Sequence, residues 1–418
     1  MRVHFRKHSG FCVFSLLFVA VMLINCFITP SPYSALHSGK VGTYMSSTRF
    51  TLNPAYLLII CVAITCLIDL HIYKTNIAYI LCLIIIVTGF LNGGLFSDSF
   101  TYIYDVLSIT LVSQLAKTDA RKKNELNAGT EWNICLYEKD YNLIYWLMVI
   151  LFVLGLILVY IFPGRFGILY FEFNRSTRGE VTIWNLFFVS VFLLIYLLID
   201  SSKKNSSPLQ KIITIIACFV TASTSSRTLV LIYLVCLMLA WIEQRFDLKK
   251  FVGLIIIGLT IFVGYNYLSD FFLLGQNSEK GSLETILNGR LGLWKYYWSL
   301  FRSHPIIGYG QVTITEQLRL TLGASSEIGI LKNATNYGLF FALFELYIII
   351  KSVVKSLVII RNRDRFDEFD HLITYLFWCS FPLIIQQHAR ILNYSNFLFW
   401  YTSFFMFSRD VNNCVRTL

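Results

Sequence analysis

The chain has 418 residues, of which 56% are hydrophobic and only 14% charged, and its mean hydropathy is +0.63. That balance excludes a soluble domain with a solvated surface and points to an all-α polytopic membrane protein. The net charge of +11 sits in short clusters beside apolar runs, and no nucleic-acid partner is expected.

Apolar runs of roughly 17 to 22 residues, enough at about 1.5 Å per residue to cross about 30 Å of hydrocarbon, recur along the sequence. Twelve are predicted as membrane-spanning helices, near 10–29, 52–70, 77–95, 100–116, 143–162, 181–199, 209–223, 227–243, 250–270, 337–358, 371–387 and 393–408. Asp105 and Gln114 interrupt the fourth, and the seventh is short. Apart from Asp69, Asp105 and Asp200, the runs read as nearly free of charge.

The basic start and long apolar run of "MRVHFRKHSGFCVFSLLFVAVMLINCFITP" would also suit a cleaved signal peptide, but no small-x-small site closes the run. It is read as an uncleaved first span. With both termini cytoplasmic, "RVHFRK", "KTDARKKNE", "SSKKNSS", "QRFDLKK" and "KSVVKSLVIIRNRDR" all fall inside and, with the single basic residues of the other inside segments, place most of the 35 Lys and Arg on the retained side. Ten cysteines are present, most of them within the runs. Cys135 and Cys414 fall on the cytoplasmic side, so neither a disulfide framework nor a metal site is implied.

The organisation is one integral membrane domain, 1–418, with unequal loops. The segment 117–142 mixes both charges and reads as a solvated cytoplasmic connection, with or without a short helix in it. The external loop 163–180 carries Arg165, Arg175 and Arg178. The largest external loop, 271–336, contains "LNGRLGLWKYYWSLFRSHPIIGYG", Leu287 to Gly310. Asn288 can cap a helix there and Pro305 can stop it. Leu291, Trp294, Trp298 and Phe301 recur along one apolar stripe, while Lys295 and Arg302 share another face. An amphipathic helix of this kind lies naturally among lipid headgroups, as an anchor without chemistry.

Arg227 opens a span after the Ser-rich turn "TASTSS". A charge at that depth is costly unless it meets protein, water or ligand; a snorkelling Arg that fixes the turn is the alternative. Arg165, Arg178, Arg227, Arg290, Arg302 and Arg390 together place permanently charged, bidentate groups on the outer face. Such a set fits an anionic ligand at the membrane surface, above all a lipid-linked pyrophosphate.

"TSSRTLVL", then the segment just quoted, then "SSEIGILKNATNYGLFFALF" resemble, in order and spacing, the O-antigen polymerase and O-antigen ligase superfamily over roughly 220–345. The resemblance implies a GT-C-like helical glycosyltransferase of the bacterial inner membrane, with its active site on the periplasmic face. It would use undecaprenyl-pyrophosphate-linked oligosaccharides as donor and acceptor, without metal or other cofactor, beside membrane lipids and a chain-length regulator protein. Arg227 and Arg290 would then hold the donor pyrophosphate and stabilise the charge on it as it leaves. The ligase branch places a His about eleven residues before the Gly of the following span; counting back from Gly338 gives Glu327 instead. That departure favours the polymerase branch, in which Glu327 would be a general base toward the acceptor hydroxyl, or else a carboxylate paired with Lys332.

His304 and His388 are the other candidate external bases. Trp294 and its neighbouring aromatic residues would stack on sugar or prenyl chain, or anchor the helix in lipid. Gly308 and Gly310 would let the backbone turn tightly and offer N–H groups to phosphate. A lipid-linked-glycan flippase is the reading from another class, and the scarcity of charge within the runs counts against it.

Overall fold

The computed structural model describes residues 17, 54–68, 76–93, 99–126, 143–150, 152–153, 180–201, 207–222, 227–243, 290–310, 329–386 and 394–411. These residues are helical, with short turns and no strands among them. The helices are α1 (Pro54–Ile68), α2 (Asn76–Leu91), α3 (Ser99–Leu126), α4 (Glu180–Ser201), α5 (Pro208–Ala222), α6 (Arg227–Glu243), α7 (Arg290–Ser303), α8 (Gly329–Arg361), α9 (Glu368–Gln386) and α10 (Tyr394–Ser408). Each apolar run predicted between 52 and 116, between 181 and 243 and between 337 and 408 coincides with one of them. The runs at 10–29 and 250–270 and most of 143–162 lie outside the described residues, apart from residues 17, 143–150 and 152–153. Among the described residues, no helix is long and apolar enough to cross a membrane.

Local signals set the helix ends. Ser207 and Gln210 form a reciprocal capping box, Ser207 N–H to Gln210 Oε1 at 2.9 Å and Gln210 N–H to Ser207 Oγ at 3.2 Å, with Pro208 at the first helical position. Asp367 caps α9 by accepting the N–H of Asp370 at 3.0 Å. Within the helices, Thr65, Ser108, Thr110 and Thr402 return their hydroxyl hydrogens to the carbonyl four residues earlier, at 2.6–2.8 Å. Their polar groups are thereby satisfied inside an apolar bundle.

α3 packs along α1, α2 and α10; α9 packs on α10, α8, α6 and α4; α8 lies across α2, α9 and α10. Aromatic rings fill the α9–α10 seam, including Phe377 on Phe399 at 6.4 Å and Phe369 against Phe405 at 5.8 Å. The outward faces are also apolar. Leu343, Leu346, Ile350, Val354 and Leu357 form an exposed stripe along α8, and Leu83, Ile86, Val87 and Phe90 form one on α2. Contiguous exposed apolar faces of this kind mark surfaces that meet something other than water.

Two expectations are corrected here. Residues 117–126 are not a solvated loop but the continuation of α3. Asp119 is fully buried and accepts the Tyr401 hydroxyl at 2.7 Å, Lys123 pairs with Asp367, and Asn124 meets Arg409. Asp119 and Lys123 thus bond to groups from other parts of the bundle rather than to water, while Arg121 stays exposed; residues 127–142 lie outside the described residues. Nor is the 337–358 run nearly free of charge. It contains Glu345, only 2% exposed, whose Oε1 accepts the Asn333 amide at 3.3 Å, together with Lys351 and Lys355.

Candidate functional site

α7 runs from Arg290 to Ser303, and Pro305 follows two residues later, after His304. Its buried face is Leu293 and Tyr297, packed with Leu300 and with Leu331 of α8. The stripe predicted through Leu291, Trp294, Trp298 and Phe301 is thus displaced by one position, and Trp298 is exposed. Helix α8 supplies the reason: Leu293 and Tyr297 are the positions that face it, so packing against protein overrides the stripe read from spacing alone. Lys295 and Arg302 are exposed on the other side, as expected.

α8 is bent sharply at Gly338, which has φ 80° and ψ −175°. In a straight helix the Thr335 carbonyl would receive the Leu339 N–H. Here it receives the N–H of Tyr309 at 2.7 Å, the Asn336 carbonyl receives that of Gly310 at 3.1 Å, and Leu339 donates to the Pro305 carbonyl at 2.7 Å. The P-x-x-G-x-G segment therefore supplies partners for backbone groups at the bend, which buried and unpaired would each cost about 1–3 kcal/mol. Contact is too close for side chains. A Cβ on Gly308 would lie 2.4 Å from the Asn336 carbonyl oxygen, and one on Gly338 would lie 2.2 Å from that of Ile306.

The junction rests on buried polar groups of α2 and α3. Asn92 donates to the Gly308 carbonyl at 3.3 Å. Tyr337, beside the bend, donates a short hydrogen bond to Asp105, and its ring meets that of Tyr102 edge-on at 6.3 Å. Thr335 reaches the Tyr297 carbonyl at 3.2 Å, tying α7 to the first part of α8. Asp105, which interrupts an apolar run in the sequence, is 2% exposed and bonded here.

The third of the three sequence motifs, "LKNATNYGLF", thus meets the second as a single structural unit. A family model described as O-antigen ligase matches residues 211–341. This stretch belongs to the O-antigen polymerase and ligase superfamily. No curated protein matches the chain. The superfamily comprises glycosyltransferase-like enzymes of lipopolysaccharide biosynthesis, associated with bacterial membranes and with lipid-linked oligosaccharides. Its matched stretch takes in most of α5, all of α6 and α7, and α8 through the bend, so the whole junction is superfamily sequence except its supports on α2 and α3.

The predicted site residues distribute as follows. Arg227 and Arg290 are the first residues of α6 and α7, and α6 packs on α8. Trp294 is half-buried, and its indole N–H is buried with no hydrogen-bond partner among the described residues. Arg302 and His304 are exposed at the end of α7; His304 Nδ1 lies 2.9 Å from Ser303 Oγ, and its ring sits edge-on to Tyr309 at 5.3 Å. Gly308 and Gly310 are buried in the junction with their N–H groups already bonded, to the His304 and Asn336 carbonyls. Those two donors serve the fold rather than a phosphate. Arg165, Arg178, Glu327, Arg390 and His388 lie outside the described residues.

Sequence reasoning passed over Asn333, Asn336, Tyr337 and Glu345. The signal for the first three was the dense N-x-x-N-Y-G pattern at the mouth of an apolar run, where each amide and hydroxyl needs a partner, and for Glu345 a carboxyl within that run.

Proposed function

We propose that the protein is a repeat-unit polymerase for a surface polysaccharide, the reading favoured by Glu327 standing where the ligase branch has His. It transfers the growing glycan from undecaprenyl pyrophosphate to a hydroxyl of a fresh lipid-linked repeat unit, on the outer face of the inner membrane. The observation that carries this reading is the junction at Gly338. It fixes α7, which begins at Arg290, against the α8 segment that follows Glu327, all within the superfamily match.

In this reading Arg290 and Arg227 bind the donor pyrophosphate and stabilise the charge that develops on it, and Arg302 with the other outer-face arginines draws in the anion. Glu327 takes the proton of the acceptor hydroxyl. The Trp294 indole N–H remains available to a sugar or phosphate oxygen. The exposed apolar stripes of α2 and α8 support a place in the membrane.

The family description that matches is that of a ligase, so transfer of finished glycan to the lipid A core is the second reading. Replacement of Arg290 or Arg227 by Ala, with membrane expression verified, separates the cases. A polymerase leaves single repeat units on the core; a ligase leaves lipid-linked polymer and an empty core. A normal ladder of chain lengths in both variants would overturn the proposal.

A further inference from the structure

The turn that joins α7 to the junction carries more than connection. Ile306 is 61% exposed, Ile307 41% and Tyr309 46%, and the nearby Trp298 on α7 is 51% exposed. Four large apolar groups on a short segment are a substantial area to leave in water. Nothing in the main-chain bonding of the turn demands these residue types there, since its contacts with Thr335, Asn336 and Leu339 are made by backbone atoms.

The surroundings say what covers them. Asn92, at the end of α2, bonds the Gly308 carbonyl, so the turn stands level with the last turn of α2, where Phe90 and Leu91 are exposed. On its other side it is bonded to Leu339, where the exposed face of α8 begins with Leu339 and Phe340. The turn thus continues two outward apolar faces at their ends. Lys295 and Arg302 are exposed on the helix that leads into it. Apolar tip, aromatic residue and cationic collar is the arrangement that suits the boundary between acyl chains and anionic headgroups. The N–H groups of His304, Gly308 and Tyr309 are bonded and Pro305 has none; those of Ile306 and Ile307 are left to headgroup oxygens and water, which places the turn at the interface and not in the hydrocarbon core.

We infer that the Ile306–Ile307 turn dips into the outer leaflet and docks the junction on anionic phospholipid. The anchor is then the turn, with Trp298 beside it, rather than the full face of α7, most of which is spent on α8. This inference rests on the membrane reading of the chain but not on its enzymatic one.

The test uses the full-length protein in vesicles of phosphatidylethanolamine and phosphatidylglycerol, with a photo-crosslinking benzophenone amino acid placed singly at Ile306, Ile307, Leu346 or Arg365. Expected are phospholipid adducts at Ile306 and Ile307 comparable to those at Leu346 on the α8 stripe, and severalfold above those at Arg365. Adducts at Leu346 without any at Ile306 and Ile307 would overturn the docked turn while leaving the membrane reading intact. Absence of adducts at Leu346 as well would overturn both. As a check on folding, I306S should unfold in detergent at the same temperature as the parent, because Ile306 is exposed; a clear drop would show that protein, not lipid, covers it and would sink the inference.

Discussion

Gly308 and Gly338 interlock. A Cβ on Gly338 would lie 2.8 Å from the Gly308 nitrogen, and one on Gly308 would lie 2.6 Å from the Gly338 nitrogen. Both have positive φ, and at Gly338 the pair φ 80°, ψ −175° falls in a region essentially reserved for glycine. Replacing either by Ala adds backbone strain of about 1–3 kcal/mol to a clash with main chain that cannot swing away. G338A and G308A should each lower the unfolding midpoint in detergent and abolish chain extension, whereas Gly93, with open space around its Cβ position, should tolerate Ala with a smaller loss. Equal effects at all three positions would deny the interlock.

The Tyr337–Asp105 bond predicts a graded pair of effects. Removing the hydroxyl in Y337F takes one donor from a buried carboxyl, a loss on the order of 1–3 kcal/mol. D105N keeps an acceptor for Tyr337 and should cost less than Y337F, while D105L should resemble it or exceed it. The order is checked by thermal unfolding, and a double mutant Y337F/D105N less destabilised than the sum of its parts would show the coupling directly.

The different legibility of these features in the sequence has a physical basis. Apolar runs announced most of the described helices, because burial and lipid exposure both require long apolar stretches and the run length sets the element. Pro305 announced the end of α7, since proline restricts the residue before it and has no N–H to give a helix. What composition concealed was partnership. Asp105 looked like a flaw in a span because its donor, Tyr337, is 232 residues away. The segment after 116 looked solvated because Asp119 and Lys123 find Tyr401 and Asp367 only in the folded bundle. The stripe on α7 was misplaced because exposed and buried aromatic residues alternate there, and spacing cannot say which face meets protein. At the site, the glycines of P-x-x-G-x-G signalled a close approach correctly, but not that the approaching group was the main chain of α8.

At the opposite end of α3, Arg409 is fully buried and forks onto both carboxylate oxygens of Asp370 at 3.1 and 3.2 Å. Burial pushes the Asp370 carboxyl up, but the charges of Arg409 and Lys123 together hold it below the ordinary carboxylate range. A carboxyl with a depressed folded value stabilises the fold above its unfolded pKa, about 3.9, and that contribution disappears as pH falls through the folded value. The unfolding midpoint should therefore fall as pH drops below about 4, and D370N should flatten that part of the curve. At neutral pH, D370N leaves Arg409 without its counter-charge and should cost about 3–5 kcal/mol. An unchanged midpoint in D370N at neutral pH would deny that the pair is formed.

The seam between α6 and α9 offers a chemical test of the packing itself. Cys236 and Cys379 are both buried, and their sulfurs lie 3.1 Å apart. A small shift would bring them to the about 2.05 Å of a disulfide. Oxidation by a membrane-permeant reagent that accepts two electrons should therefore join these two thiols, with loss of two protons, and peptide mapping should recover the 236–379 link. The reaction will be slow, because both sulfurs are buried away from the reagent. C379S should abolish the link, because it removes the sulfur that lies 3.1 Å from Cys236. Failure to recover the 236–379 link after exhaustive oxidation would deny the described approach of α6 to α9.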